Sequence, residues 1–438
     1  MFYQLGKQIQ NQLSANTFLF CSYAIVAACS TYAFMYGFRK PVAVGLYQEV
    51  TWLGLSLKTL YLTAQILGYA LSKFIGIKVI SELKSHGRAK ATLALVFFAW
   101  FALLGFAITP SPWNAVFMLL NGLPLGMVWG IVFSYLEGRR VTEILAAGLC
   151  TSFILASGIV KTVASILLLD YNVSEIWMPF VTASMFLPFL CASVWMLDQL
   201  PPPNQSDIEQ RCKRVPMNKA SRIELLKLLG FGITMLIFGY ILLTILRDLR
   251  DSFAADVWQA TGLSGAPGLF TLTELPIAIV VLIIIALLKL VKNNHTAMII
   301  NHFLIFLGFI ITLLSSLAYE HSYIGPISWM ILNGIGLYLA YVPFTTSLFD
   351  RLIATFNRPA NVGFLTYLAD SFGYLGTVGV MVYQSTSTHT INWNIFLRDL
   401  GILTGVTGGV LTLSSLAFFL YKERKTDKEL HSLSVTKI

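Results

Sequence analysis

Charged residues are scarce in this sequence: they make up 12% of its 438 residues, whereas hydrophobic residues make up 56%. Water-soluble domains have about a quarter charged residues, so this composition excludes a soluble globular protein. No stretch between the apolar runs is long enough to fold alone, and none contains a glycine-rich phosphate loop, a Ser/His/Asp order or a metal-ligand spacing. The sequence therefore predicts no enzyme activity, no cofactor and no bound metal.

Cysteine is also scarce, and its positions exclude the usual structural uses of a thiol. The five cysteines are Cys21, Cys29, Cys150, Cys191 and Cys212. They form no Cys-x-x-Cys or Cys/His pattern and four lie inside apolar runs, so neither a disulfide nor a metal site is expected. The net charge of +9 comes from short basic segments between apolar runs. The expected partner is therefore a lipid bilayer and not nucleic acid.

Twelve apolar runs are long enough to cross a membrane, since a spanning helix needs about 20 apolar residues. The predicted spans are roughly 16–38, 58–80, 91–109, 113–136, 142–168, 177–199, 223–247, 268–290, 296–318, 326–349, 361–384 and 396–421. The first run is too long for a signal-peptide core and no cleavage pattern follows it, so it is expected to remain as a span. The predicted fold class is an all-α membrane protein with 12 transmembrane helices.

The orientation follows from the distribution of lysine and arginine. The predicted outer segments near residues 110, 172, 322 and 388 contain neither residue, whereas the predicted inner segments near residues 84, 139, 214, 289, 351 and 424 are basic. Cytoplasmic loops carry the excess of positive charge. The sequence therefore predicts a multi-pass protein of the inner or plasma membrane with both termini in the cytoplasm, and a monomer is expected.

The longest polar interruption divides the chain into two halves. Residues 200–222 begin with three prolines and continue with polar and charged residues, as is typical of a flexible cytoplasmic linker. It separates a six-helix half at 1–199 from a second at 223–438. Short matches relate the halves, for example Asn121-Gly122 in span 4 and Asn333-Gly334 in span 10. Parallel six-span repeats define the major facilitator fold, whose substrate site lies between the halves near the midplane.

Two basic clusters lie at the outer ends of spans, where positive charge is disfavoured. Span 1 ends in Arg39-Lys40, and span 7 ends in Arg247, followed by Arg250. One interpretation is that these side chains extend to the outer headgroups. The other is an anion site, because guanidinium is planar, always charged and able to bind phosphate or carboxylate with two parallel hydrogen bonds. Charged residues at membrane depth are candidates for function.

Two segments resemble the organophosphate:phosphate antiporters, which include the glycerol phosphate and hexose phosphate transporters. The segment 36–40, beginning at Tyr36, resembles the Tyr-x-x-Arg-Lys sequence that ends span 1 in that family, and 68–75 (GYALSKFI) resembles its span 2. The resemblance covers about 60 residues. It implies that Arg39 and a span 7 arginine hold a phosphate-bearing anion with help from Lys73, and that inorganic phosphate is exchanged. The span 7 residue is Arg247, with Arg250 as the alternative. Tyr36 is a further candidate for substrate binding, with its hydroxyl as a donor.

Other charged residues in the spans leave alternatives open. The family's span 5 histidine has no equivalent here, and Lys161 lies in that span instead. Lys161 either contacts substrate or forms a structural pair with an acid such as Asp370. Asp370 and Glu274 are also coupling candidates, since the alternative function is proton-coupled symport of a carboxylate or another organic solute. A transporter-like sensor is the third alternative, although no signalling domain is attached.

Overall fold

The fold is described from a computed structural model of the chain. The structure describes residues 2–47, 51–52, 55–82, 87–136, 142–202, 219–263, 266–288, 290–356, 362–386 and 392–435. Most of the predicted linker, at 203–218, lies outside the described residues. So do residue 289, the predicted inner segments near residues 84 and 139 and the predicted outer segment near residue 388.

Fifteen α-helices account for most of the described residues. In chain order they are α1 (Phe2–Ala15), α2 (Thr17–Tyr36), α3 (Leu57–Glu82), α4 (Arg88–Ile108), α5 (Ala115–Leu136), α6 (Thr142–Leu169), α7 (Met178–Asp198), α8 (Lys219–Ser252), α9 (Ala254–Ala260), α10 (Leu269–Leu288), α11 (Asn294–Glu320), α12 (Pro326–Thr346), α13 (Leu348–Thr355), α14 (Val362–Thr386) and α15 (Trp393–Val435). A short 3₁₀ helix lies at Pro41–Ala43. The strands β1 (Thr51–Trp52) and β2 (Leu55–Ser56) form an antiparallel pair that the sequence did not predict.

Nine helices in the described part of the chain are long and apolar enough to cross a membrane. They are α2, α4, α5, α7, α10, α11, α12 and the segments Lys227–Ser252 of α8 and Trp393–Lys425 of α15. Each lies on a predicted span. Predicted spans 2, 5 and 11 lie in α3, α6 and α14, helices that carry Lys73, Lys161 and Asp370 along their length. The all-helical prediction is confirmed, whereas the count of twelve spans stays a prediction.

Two features of burial differ from those of a water-soluble protein: large apolar side chains are exposed and charged side chains are buried. The large apolar side chains of Phe101, Ile283 and Val410 are 59%, 55% and 61% exposed, while Lys161 and His302 are 3% and 0% exposed. In a soluble protein lysine is almost never fully buried and large apolar patches are rarely exposed. Exposed apolar faces on helices of this length are suited to lipid tails. The chain is therefore an integral, multi-pass membrane protein.

Helix α8 is longer at its carboxyl end than the sequence predicted. Span 7 was predicted to end at Arg247, but the helix continues to Ser252, so that Arg250 and Asp251 lie in its last turns. Partners far away in the sequence neutralise these charges, as described below. The helix can therefore continue, because these side chains do not need contact with water. Residues three and four apart lie on neighbouring positions of a helix surface. Arg247, Arg250 and Asp251 therefore project from one end of α8.

Helices α3 and α5 approach so closely that their main chains touch. A Cβ atom on Gly122 would overlap the main-chain carbonyl oxygen of Gln65, and one on Gly68 would overlap that of Leu119. Small residues of this kind allow close helix packing in membranes. Next to the crossing, the buried Asn121 side chain accepts a hydrogen bond from Gln65 at 2.7 Å and donates one to the carbonyl of Phe38 at 3.1 Å. The crossing thus fixes the turn that follows α2.

The chain divides into two compact units by internal packing. Unit 1 comprises Met1–Cys212, Arg247–Ala286 and Tyr374–Leu397, and unit 2 comprises Lys213–Leu246, Leu287–Gly373 and Arg398–Ile438. Unit 1 contains the end of α8, most of α10 and the second half of α14, which belong to the second predicted half of the sequence. The predicted halves at 1–199 and 223–438 therefore do not coincide with these two units, and the division into two six-helix halves stays a prediction.

Candidate anion-binding site

Arg39 is a buried arginine held by aromatic rings. It lies in the turn after α2, where its main-chain N–H donates to the carbonyl of Tyr36 at 3.0 Å, and the residue is 5% exposed. Its guanidinium carbon lies 3.8 Å from the ring centroid of Tyr69 and 5.9 Å from that of Tyr374. Within the described ranges, no carboxylate lies at ion-pair distance and the guanidinium makes no hydrogen bond. Its N–H donors therefore remain available in the plane of the group.

Lys73 shares the aromatic surroundings of Arg39. The Lys73 ammonium lies 5.5 Å from the ring centroid of Tyr69, 5.5 Å from that of Trp129 and 5.9 Å from that of Tyr374. The rings of Tyr69 and Tyr374 are themselves 4.9 Å apart. Cations over aromatic faces are stabilised by the ring quadrupole. The structure thus brings together two of the predicted site residues, Arg39 and Lys73, on the same pair of rings.

Arg247 contacts the same ring pair but also has an acidic neighbour. Its guanidinium donates to the hydroxyl of Tyr374 at 3.1 Å and lies 5.5 Å from that ring centroid. It also pairs with Asp248, with a shortest distance of 2.9 Å between Nη2 and Oδ1. The other oxygen of Asp248 accepts a hydrogen bond from Thr377 at 3.4 Å. Arg247 therefore lies beside the Arg39 site, and Asp248 competes for its donors.

Arg250, the alternative to Arg247, has a different partner. Its Nη1 donates to Glu274 Oε1 at 2.8 Å, and the two residues are 2% and 8% exposed. Helix α10 carries Glu274, and α6 packs against it, because a Cβ on Gly158 would meet the side chain of Glu274. Arg250 is thus part of a buried pair between α8 and α10. Of the two span 7 arginines, Arg247 is the one that contacts the ring of Tyr374.

Lys161 forms an ion pair with Asp251. Its ammonium donates to Oδ1 and to the main-chain oxygen of Asp251, and the hydroxyl of Ser157 also donates to Oδ1. The second carboxylate oxygen of Asp251 pairs with Lys40, the residue after Arg39. The suggestion that Asp370 is the structural partner of Lys161 is therefore wrong. The pairing depends on which faces of α6 and α8 meet, and sequence position does not show that.

The remaining predicted residues lie near these groups or apart from them. Tyr36 is buried, contacts the ring of Tyr32 edge to face at 5.3 Å, and its ring centroid lies 5.6 Å from the ammonium of Lys40. Asp370 lies in unit 2, where the hydroxyl of Tyr240 donates to it at 2.5 Å. The structure thus groups Tyr36 with the Arg39 turn and gives Asp370 a tyrosine partner in unit 2.

The charged side chains of this region have a positive excess. We call them the basic cluster: six cations, Arg39, Lys40, Lys73, Lys161, Arg247 and Arg250, and three carboxylates, Asp248, Asp251 and Glu274, all in unit 1. Eight of these residues are at most 8% exposed, and the side chain of Arg247 is 12% exposed. The formal excess is three positive charges. Because an uncompensated buried charge costs several kcal/mol, the arrangement favours an anionic ligand.

The sequence analysis did not predict some of the contacts in this unit, although the sequence contains signals for part of them. Tyr69 lies four residues before Lys73 in α3, and this spacing places both side chains on one helix face. Lys40 follows Arg39 directly but was not chosen as a site residue. The pair between Lys58 and Asp256, at 2.5 Å, joins residues 198 positions apart and had no local signal. Local spacing thus predicts the helix face, whereas the long-range pairs require the fold.

Comparison with sequence families gives one match, and it covers most of the chain. Residues 41–422 match the family described as "Family of unknown function (DUF5690)". No curated protein sequence matches the chain. The matched region begins at the residue after Lys40, so it includes every residue of the basic cluster except Arg39 and Lys40.

Solved structures of transporters share the fold. A mutant of the peptide transporter POT in complex with sulfate has a TM-score of 0.62 at 15% identity, covering 92% of this chain and 95% of its own. A D-xylose-proton symporter has a TM-score of 0.61 at 12% identity, covering 90% and 97%. The nucleoside transporter NupG has a TM-score of 0.58 at 14% identity, covering 91% and 98%. The prediction of a major facilitator fold is confirmed; at these identities, the likeness concerns the fold alone.

Proposed function

The chain belongs to the DUF5690 family and has the major facilitator fold, and from this we propose that it is a secondary transporter that moves a small organic anion by alternating access. The observation that carries the proposal is Arg39. A guanidinium that is 5% exposed and stacked on Tyr69 without an ionic partner in the described residues keeps all its donors for a ligand. Arginine in this state is suited to bidentate binding of a phosphate or carboxylate.

Three features support an anion as the ligand. Arg39 and Lys73 contact the same two rings, Arg247 contacts one of them, and the basic cluster has an excess of positive charge. If the transporter changed from one access state to the other without a ligand, the buried charges of this site would stay uncompensated, which is costly. This favours exchange over uniport. The resemblance of segments 36–40 and 68–75 to the organophosphate:phosphate antiporters supports a phosphate-bearing substrate and inorganic phosphate as the exchanged anion.

Proton-coupled symport is the second candidate, and one observation favours it. Oxygen Oε2 of Glu274 is buried and has no hydrogen-bond partner among the described residues, while Oε1 pairs with Arg250. A buried carboxylate oxygen without a donor is suited to carry a proton at membrane depth. Asp370, bonded to Tyr240, is the other candidate. In this mechanism the substrate would be a carboxylate or another organic solute.

Counterflow distinguishes the two mechanisms. The purified protein is reconstituted into vesicles that are loaded with inorganic phosphate or left empty, and uptake of radiolabelled phosphate is measured with and without a proton gradient. We expect uptake only into phosphate-loaded vesicles, with no dependence on the gradient, because the basic site returns only with an anion. Uptake into empty vesicles driven by an inward proton gradient would instead support symport. No uptake under either condition would contradict the exchange of inorganic phosphate.

The orientation is proposed as both termini in the cytoplasm. Single cysteines near residues 5, 210 and 430 in a cysteine-free background should not react with a membrane-impermeant maleimide in intact cells, because basic segments remain inside. Tyr323→Cys is the matched control: the residue is 81% exposed and lies in a predicted outer segment, so it should be labelled. Labelling of any of the first three positions in intact cells would contradict the topology.

A further inference from the structure

The carboxylate of Asp251 lies between two lysines from different segments of the chain. Lys40, after α2, pairs with Oδ2, and Lys161, in α6, pairs with Oδ1. The hydroxyl of Ser157, one turn before Lys161, also donates to Oδ1. Neither lysine pairs with a second carboxylate among the residues that the structure describes. Two ammonium groups and a hydroxyl converge on this one carboxylate.

The charge balance here differs from that of the other buried ion pairs in unit 1. Lys58 and Asp256, for example, form a pair of one cation and one carboxylate. At Asp251 two cations share one anion, which leaves one formal positive charge among residues at most 7% exposed. A purely structural pair needs one lysine, because the second adds a desolvation cost without a second carboxylate to compensate it.

The lysine pair is next to the proposed ligand position at Arg39. Lys40 follows Arg39 directly, and its ammonium lies 5.6 Å from the ring centroid of Tyr36, the residue whose carbonyl accepts the N–H of both Arg39 and Lys40. The turn therefore presents two adjacent cations. Among the described residues, no carboxylate lies at ion-pair distance from the Arg39 guanidinium, and only that of Asp251 lies at ion-pair distance from the Lys40 ammonium. Ammonium and hydroxyl groups are also the donors that bind a free carboxylate or phosphate.

We propose that Lys40, Lys161 and Ser157 form a second anion subsite, which the carboxylate of Asp251 fills when no substrate is bound. The substrate then carries two anionic groups on a short organic body, namely two carboxylates or one carboxylate and one phosphate. One group binds Arg39, and the other displaces Asp251 from the lysines. This inference rests on the proposed function, because it assigns the substrate class of the same site. Two anionic groups also match the positive excess of the basic cluster.

A matched pair of ligands tests the second subsite on the purified full-length protein. Phosphonoacetate carries a phosphonate and a carboxylate, whereas methylphosphonate carries only the phosphonate. Isothermal titration should show that the wild-type protein binds phosphonoacetate more tightly. Lys161→Gln leaves Lys40 and Asp251 as a one-to-one pair and removes the spare cation. It should weaken the binding of phosphonoacetate by about tenfold, which is the scale of one close charge pair. The affinity for methylphosphonate should change by less than about twofold.

Asp251→Asn gives the opposite result, which a merely structural role would not produce. Removing the competing carboxylate frees both lysines, so phosphonoacetate should bind about tenfold more tightly, while methylphosphonate changes little. Lys90→Gln, at an exposed lysine of α4, is the control and should change neither. Where Asp251→Asn fails to fold because both lysines lose their counter-ion, Lys161→Gln alone decides the question.

The outcomes separate this inference from the proposed function. Two results would overturn the second subsite and leave the Arg39 site intact. One is that Lys161→Gln lowers the affinity for both ligands equally, and the other is that folded Asp251→Asn binds phosphonoacetate more weakly than the wild-type protein. If methylphosphonate did not bind the wild-type protein, or bound Arg39→Lys equally well, the proposed anion site itself would be wrong, and the second subsite with it.

Discussion

Arg39→Lys should lose most of the phosphate counterflow while the protein remains inserted and folded. Lysine keeps the positive charge but lacks the planar fork, so it forms fewer hydrogen bonds to the anion and no longer stacks at 3.8 Å over the ring of Tyr69. One hydrogen bond to a charged group contributes about 2 kcal/mol, which corresponds to roughly a thirtyfold loss of affinity. Counterflow of radiolabelled phosphate in vesicles of matched protein content measures the effect.

Arg247→Lys extends the test to the second arginine. It should also lose most transport, since Arg247 contacts the ring of Tyr374 near Arg39. Because both arginines would hold one ligand, their effects should not add, and the double variant should be scarcely worse than either single variant. Arg424→Lys, at an exposed position in α15, is the matched control and should transport normally. Normal counterflow by a correctly inserted Arg39→Lys protein would show that Arg39 does not bind the anion.

Much of the fold was predictable because a membrane span leaves a strong local signal. Helix α2 runs over Thr17–Tyr36, close to the predicted 16–38, and the apolar runs place nine described spans. The errors occur where side-chain partners decide the structure. Helix α8 passes the predicted end at residue 247 because Asp251 and Arg250 find buried partners. The strands β1 and β2 have only two residues each, and no alternating apolar pattern reveals them in the sequence.

The candidate site was predictable only in part, and the reason is sequence separation. Arg39 and Lys73 were recognisable because charges inside apolar runs are unusual and because their segments resemble a known family. The pair of Lys161 with Asp251 spans 90 residues, and nothing in either segment shows which helix faces meet. The stacking of Arg39 on Tyr69 is equally nonlocal. Local pattern therefore predicted the candidate cations, whereas the tertiary structure shows that Arg39 has no carboxylate at ion-pair distance among the described residues and that Lys161 has one.

Gly122→Val should cause a large loss of folded protein. A Cβ at this position would overlap the main-chain oxygen of Gln65, and main-chain atoms at a helix crossing cannot move aside as a flexible side chain can. Inserting carbon atoms into a packed core costs about 1–3 kcal/mol or more, and here α3 and α5 must separate. We expect a clearly lower thermal unfolding midpoint in detergent and a reduced yield of monodisperse protein.

Gly379→Val is the matched control, because it makes the same chemical change in a helix. Gly379 lies in α14, is exposed, and a Cβ there would meet no atom within 4 Å. Any intrinsic effect of valine on a helix is therefore present in both variants. The difference between their unfolding midpoints measures the destabilisation caused by the clash between α3 and α5. Helix α3 carries Tyr69 and Lys73, so Gly122→Val protein that does fold should also bind methylphosphonate more weakly. Equal midpoints for the two variants would show that α3 and α5 do not pack through their main chains at Gly122.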